Sequence, residues 1–143
     1  MRIERIIQEK GGDVLTIKPG AKVSDAVALL SEKRIGAVVV SENGTSPDGI
    51  LSERDVVRQL GKVGTDCLGQ PVSELMTADI KSCAPSDMLD DVLATMTEGR
   101  FRHMPVLDGG AMVGIVSIGD VVKSRLSELS MERDALQGMV MGH

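Results

Sequence analysis

The chain has no tryptophan, no tyrosine and one phenylalanine among its 143 residues. A planar ligand therefore has almost no aromatic face to stack on, and Ile, Val, Met and backbone would have to grip it. Nine methionines are available to fill irregular gaps of that kind, or simply to pack a core. Cysteine is scarce too. Cys67 and Cys83 form neither a CxxC pair nor a disulfide framework, so both are expected as free thiols of a reducing cytoplasm. No apolar run approaches the roughly 18 residues that would span a bilayer. The opening Met-Arg-Ile-Glu-Arg-Ile-Ile-Gln-Glu-Lys mixes both charge signs and lacks the apolar centre of an export signal. There is no basic surplus: 16 Lys and Arg against 21 Asp and Glu give a net charge of −5, which argues against a broad nucleic-acid-binding face. Catalytic groups are equally sparse. His103, His143 and two separated cysteines show no metal-ligand cluster, and neither a GxSxG elbow nor a GxxxxGK[ST] loop occurs. A Cys83–His103 dyad has nothing in the sequence to orient its histidine. The expectation is a cytoplasmic protein without membrane or nucleic-acid partner, and not an enzyme.

What is present is a repeat. Val23, Ala26, Val27 and Leu30 form the i, i+3, i+4, i+7 stripe of an amphipathic helix, and Leu89, Val92, Leu93 and Met96 reproduce it 66 residues later. Pro19 and Pro85 precede the two helices at the same offset. Each helix is followed by an apolar run that reads as a buried strand, Ala37–Val40 and Met104–Leu107. A turn comes next, Ser41–Asp48 in one copy and Asp108-Gly109-Gly110 in the other, and then a second strand, Gly49–Ser52 or Gly114–Ser117. Both copies then enter a helix carrying Val56, Val57 and Leu60, or Val121, Val122, Leu126 and Leu129. Val14–Ile17 and Ile80–Cys83 read as extra strands before the prolines, and a helix with Ile3, Ile6 and Ile7 stops at Gly11-Gly12. The fold class is α/β, with two βαββα-like repeats too small to bury a core separately. The expected boundaries are 1–62 for the first repeat with its N-terminal helix, 63–71 for a linker, 72–130 for the second repeat and 131–143 for a helical tail.

Each repeat carries Gly-h-h-Ser-x-x-Asp, where h is apolar: Gly49-Ile50-Leu51-Ser52-Glu53-Arg54-Asp55 and Gly114-Ile115-Val116-Ser117-Ile118-Gly119-Asp120. An isolated copy reads as a capping box, in which serine and an acid three residues on satisfy unpaired amides at a helix start. Two copies in register at strand-to-helix junctions add a second reading. A helix start suits a phosphate, the serine hydroxyl can donate to it, and the carboxylate can accept from both hydroxyls of a ribose. Glycine ahead of the motif allows close backbone approach. Capping and ligand binding are compatible.

On these residues, together with Val72-Ser73-Glu74-Leu75-Met76-Thr77 and Arg100-Phe101-Arg102-His103-Met104-Pro105-Val106, the chain resembles the cystathionine-β-synthase-type (CBS) domain family, whose paired repeats are called Bateman modules. The resemblance covers roughly Val14 to Leu126. It implies tandem repeats related by a pseudo-twofold axis, clefts between them that take adenosine-containing ligands, and a disc-like homodimer. Carried over by position, Ser52 and Ser117 become phosphate or ribose contacts, and Asp55 and Asp120 ribose-binding carboxylates. Ile35-Gly36-Ala37 and His103-Met104-Pro105 would line the base pockets, while Ile17 and Cys83 would add backbone contacts to the base. The first repeat has Gly36-Ala37-Val38-Val39-Val40 where the second has Arg102-His103-Met104-Pro105-Val106. It lacks the basic pair and the proline, so the two clefts are expected to differ.

Arginine forks match phosphate geometry, which makes Arg54, Arg102 and His103 candidate phosphate contacts, whereas Arg58 reads as part of a solvated helix face. The expected ligand is AMP, with ADP, ATP, NAD(H) and S-adenosylmethionine as alternatives. The expected output is regulation of a separate effector protein, because a ligand that favours one arrangement shifts the population towards it. The reading from another class is an interaction module without a ligand. No metal or catalytic cofactor is expected.

Overall fold

A computed structural model describes residues Met1–Val140. Six helices and five strands follow one another in the order α1 (Ile3–Lys10), β1 (Thr16–Ile17), α2 (Val23–Lys33), β2 (Ala37–Val40), β3 (Gly49–Ser52), α3 (Glu53–Val63), α4 (Val72–Leu75), α5 (Leu89–Gly99), β4 (His103–Asp108), β5 (Ala111–Ser117) and α6 (Ile118–Val140). A 3₁₀ segment, Gly64–Gly69, joins α3 to α4. The βαββα order is therefore present, with one contraction. In the first repeat β1 runs parallel to β2, which pairs antiparallel with β3. In the second, the strand expected over Ile80–Cys83 is reduced to a single parallel bridge between Cys83 and Val106, beside the two-stranded β4–β5 sheet.

The chain divides into two compact units, and their boundaries are not those of the repeats. One unit is built from Met1–Gly12, Ser82–Asp108 and the described residues from Val113 onward. Its core joins Ile3 and Ile6 of α1 to Leu89, Val92 and Met96 of α5, with Cys83, Met104, Val106, Val116 and Val121. The other unit comprises Asp13–Lys81 and Gly109–Met112. Its core joins Val23, Ala26 and Leu30 of α2 to Val38, Val40, Leu51 and Val56, and closes on Val72 of α4. The N-terminal helix, expected with the first repeat, thus packs on the second, and α4, which opens the second repeat in sequence, packs on the first. The expected linker is structured as well: Cys67 in the 3₁₀ segment is fully buried.

Backbone hydrogen bonds show why the segments pair this way. Leu89 N donates to Met1 O, Ile3 N to Asp87 O and Glu4 N to Pro85 O. In the other unit Val23 N donates to Gln70 O, Val72 N to Ala21 O and Ser73 N to Pro19 O. Pro19, Ala21 and Val23 correspond to Pro85, Asp87 and Leu89, so both units use the same three-bond stitch. Each proline takes the second place of a turn, closed by Ala21 N on Lys18 O in one unit and by Asp87 N on Ala84 O in the other, and the stitch satisfies backbone groups that would otherwise be left unpaired beside a buried core.

α6 runs unbroken from Ile118 to Val140, so the expected tail from residue 131 continues the last helix as far as it is described. Beyond Val121 its apolar side chains Val122, Leu126, Leu129, Leu136 and Val140 are all exposed.

The motif glycines serve packing inside each unit. A Cβ on Gly49 would lie 2.8 Å from the Thr77 carbonyl oxygen and 2.7 Å from Met76 Sδ. There the Ile50 and Thr77 backbones bond each other in both directions, at 3.0 and 2.8 Å. A Cβ on Gly114 would collide with the end of the Ile7 side chain, a group able to rotate away. The close approach at each motif is thus made by the chain itself. Gly49→Ala is expected to cost about 1–3 kcal/mol, the range for overpacking against immovable neighbours. Gly114→Ala should cost less, and denaturant unfolding of the two variants measures the order.

Candidate functional site

Each strand-to-helix motif folds into the same corner. At the first, Ser52 ends β3 with extended backbone and caps α3. Asp55 N donates to Ser52 Oγ at 3.2 Å, and Ser52 N donates back to Asp55 Oδ2 at 2.9 Å. The Ser52 hydroxyl also donates to Asp55 Oδ2 at 3.0 Å. At the second, Asp120 N donates to Ser117 Oγ at 3.1 Å and Ser117 N donates to Asp120 Oδ2 at 2.9 Å. Both motifs are therefore closed capping boxes, worth about 0.5–2 kcal/mol each by the usual cost of losing such a cap. One carboxylate oxygen of each aspartate serves its own helix start. A carboxylate offers about four acceptor sites, so capping leaves acceptor capacity for a diol.

The expected pocket segments meet these corners from behind. Glu53 N, the first amide of α3, donates to Gly36 O at 2.9 Å, and Ile118 N, the first of α6, donates to Arg102 O at 2.8 Å. Ile35-Gly36-Ala37 is thereby fastened to the Ser52–Asp55 corner, and Arg102-His103 to the Ser117–Asp120 corner. Ile17 and Cys83 sit at equivalent places, but their backbones are already engaged. Ile17 O accepts from Ser41 N at 2.9 Å, Cys83 N donates to Pro105 O at 3.0 Å, and Cys83 O accepts from Leu107 N at 2.8 Å. Each carbonyl keeps one lone pair for a further donor. Met104 and Pro105 are buried, and the Met104 side chain is part of the core cluster, which removes that side chain from a pocket wall.

The basic residues divide. Arg54 lies on the outer face of α3, where it lines a shallow groove with Glu53, Val57 and Arg58. Arg58 itself approaches Asp55 Oδ1 at 3.8 Å. Arg102 is exposed and His103 half-buried. The residue the sequence did not point to is Lys10, the last of α1. Its ammonium donates to Asp120 Oδ2 at 2.7 Å and to Ile115 O at 2.9 Å. A separation of 110 residues hid this pair, and no local pattern predicts it.

Cys83 is buried, and burial, aided by the nearby charge of Asp87, pushes its thiol up to about 12. It stays protonated at neutral pH and so is no nucleophile. Among the described residues no group of three His, Cys, Asp or Glu is placed to hold a metal ion, and no helix is long and apolar enough to cross a membrane. His143 lies outside the described residues.

For Asp120, burial works to raise the pKa, but the Lys10 hydrogen bond, the Ser117 amide and the Lys10 charge together hold it below the ordinary 3.8. A depressed carboxylate stabilises the fold above its unfolded-state value and loses that contribution as pH falls through the folded-state value. Asp120→Asn should therefore lower the melting temperature at pH 7. The gap to the unaltered protein should close as the pH is taken below 3.8, as thermal melts across an acid series would show.

With this geometry in view, similarity to known proteins is specific. The CBS domain family model matches the chain twice, over residues 6–62 and 72–127. The CBS domain-containing protein YhcV of Bacillus subtilis is 33% identical over 118 residues, covering 82% of this chain and 82% of that protein. Among solved structures, a CBS-domain containing protein from Agrobacterium tumefaciens has a TM-score of 0.84 and 39% identity, covering 87% of this chain and 99% of its own. CBSX2, solved in complex with AMP, has a TM-score of 0.67 and 30% identity over 80% of this chain and 88% of its own. Matched twice and across most of its length, the chain belongs to the CBS domain family and carries two copies of that domain.

Proposed function

We propose that this protein is a regulatory, non-catalytic module of the cytoplasm that binds an adenine nucleotide, AMP in the first place, at its Ser-x-x-Asp corners. The reading rests above all on the duplicated corner: a hydroxyl, a helix start and a carboxylate with spare acceptor capacity, held together at the end of a buried strand. The helix start favours the phosphate, and the carboxylate favours the ribose diol. The AMP bound to CBSX2, a relative at 30% identity, supports AMP over the other adenosine-containing ligands. Ile35, Gly36 and Ala37 at one corner, and Arg102, His103 and Pro105 at the other, are the proposed surroundings of the base and phosphate. The bound state acts on a separate partner protein. Only the difference in ligand affinity between two conformations does that work, whatever the total affinity.

We further propose a homodimer built with α6. Val122, Leu126, Leu129, Leu136 and Val140 recur at spacings of four, three, seven and four, an a/d seam interrupted only by Arg133. Leu136 is 62% exposed and Val140 87% exposed in the single chain. An exposed apolar stripe of this kind favours a partner surface.

Calorimetric titration with AMP, ADP, ATP, NAD(H) and S-adenosylmethionine tests the first proposal. AMP is expected to bind, and Asp120→Ala should weaken it at least about tenfold, equivalent to about 1.4 kcal/mol. Absence of AMP binding at millimolar concentration, with the fold intact by circular dichroism, would overturn the reading. For the second proposal, sedimentation should show a dimer that Leu129→Glu with Leu136→Glu converts to monomer; a monomer at the outset would refute it.

A further inference from the structure

The two corners are alike in backbone and unlike in charge. Asp55 is met by its own serine and, at 3.8 Å, by a guanidinium that is 67% exposed. Asp120 is met by the ammonium of Lys10 at 2.7 Å, and the same ammonium is held by Ile115 O. Lys10 is placed there by structure, because α1 is anchored in the core through Ile3 and Ile6 and ends at this residue. Its side chain is 40% exposed, so the head group can leave Asp120 without leaving water.

We infer that Lys10 sets the charge requirement for ligands at the second corner, a role that rests on the nucleotide-binding reading above. A ribose diol that spans both oxygens of the Asp120 carboxylate meets the Ser117 amide and the Lys10 ammonium at Oδ2, and there it competes with a charge-assisted hydrogen bond. A neutral nucleoside offers the displaced ammonium nothing in return. A nucleotide carries its own anion next to the ribose, and the four-carbon stem of lysine lets the ammonium swing from carboxylate to phosphate. Lys10 thus opposes adenosine and admits AMP. Among the described residues no lysine is bonded to Asp55, and the first corner is the more permissive of the two.

The test compares AMP with adenosine by calorimetry in an Asp55→Asn background, which biases binding to the second corner. Before Lys10 is changed, AMP should bind at least about tenfold more tightly than adenosine. Lys10→Met should bring the two within about threefold, with adenosine gaining and AMP losing affinity, while Lys10→Arg should restore the preference. An unchanged AMP-to-adenosine ratio in Lys10→Met, with AMP binding still abolished by Asp120→Asn, would overturn the role of Lys10 and leave nucleotide binding standing. Failure of AMP to bind, or binding indifferent to Asp120→Asn, would overturn both. Circular dichroism of each variant separates these results from loss of fold.

Discussion

A serine and an aspartate three residues later close the start of α3 and the start of α6, and the functional account depends on how those two carboxylates are shared. Each aspartate carboxylate accepts a hydrogen bond from the backbone amide of its own serine, so it cannot swing away without losing the cap. That constraint pre-positions the carboxylate. A ligand that meets it spends little on ordering the side chain, which is where much binding free energy is otherwise lost. The capping role and the proposed binding role are therefore one arrangement, in which the first makes the second inexpensive. What separates the corners is the company each carboxylate keeps, a distant guanidinium at Asp55 and a bonded ammonium at Asp120.

The units that hold these corners are composites. α1 and α4 each lead one repeat in sequence and pack into the core of the other, fastened by matching sets of three backbone hydrogen bonds. Such an exchange makes each core depend on both halves of the chain. It also brings Lys10 to the second motif, although it lies in the segment that precedes the first. Charge at a duplicated site can in this way diverge between copies without any change in the motif itself.

Much of this was legible in the residues. The stripes through Val23, Ala26 and Leu30 and through Leu89, Val92 and Met96 are the buried faces of α2 and α5, because a 3.6-residue period leaves one face to pack. Paired serines and aspartates at fixed offsets marked the corners, since capping demands that spacing. Local pattern fails where the partner is remote. Nothing around Ile3 says that it packs on Leu89 rather than on Val23, and nothing around Lys10 names Asp120. The segment 63–71 reads as a linker from its glycines, yet Cys67 buries there and Gln70 accepts from Val23. Gly49 and Gly114 were open to a ligand-facing reading from sequence. The packing of Met76 with Thr77, and of Ile7, explains them without one.

The central claim is that the corner carboxylates hold a ribose while still capping their helices. A crystal structure of the protein grown with AMP tests it most directly. The account predicts both ribose hydroxyls within hydrogen-bonding distance of Asp120, with Lys10 moved from the carboxylate to the phosphate and the Ser117 cap intact. AMP bound elsewhere, with Lys10 still on Asp120 and both corners doing nothing but closing their helices, would contradict it.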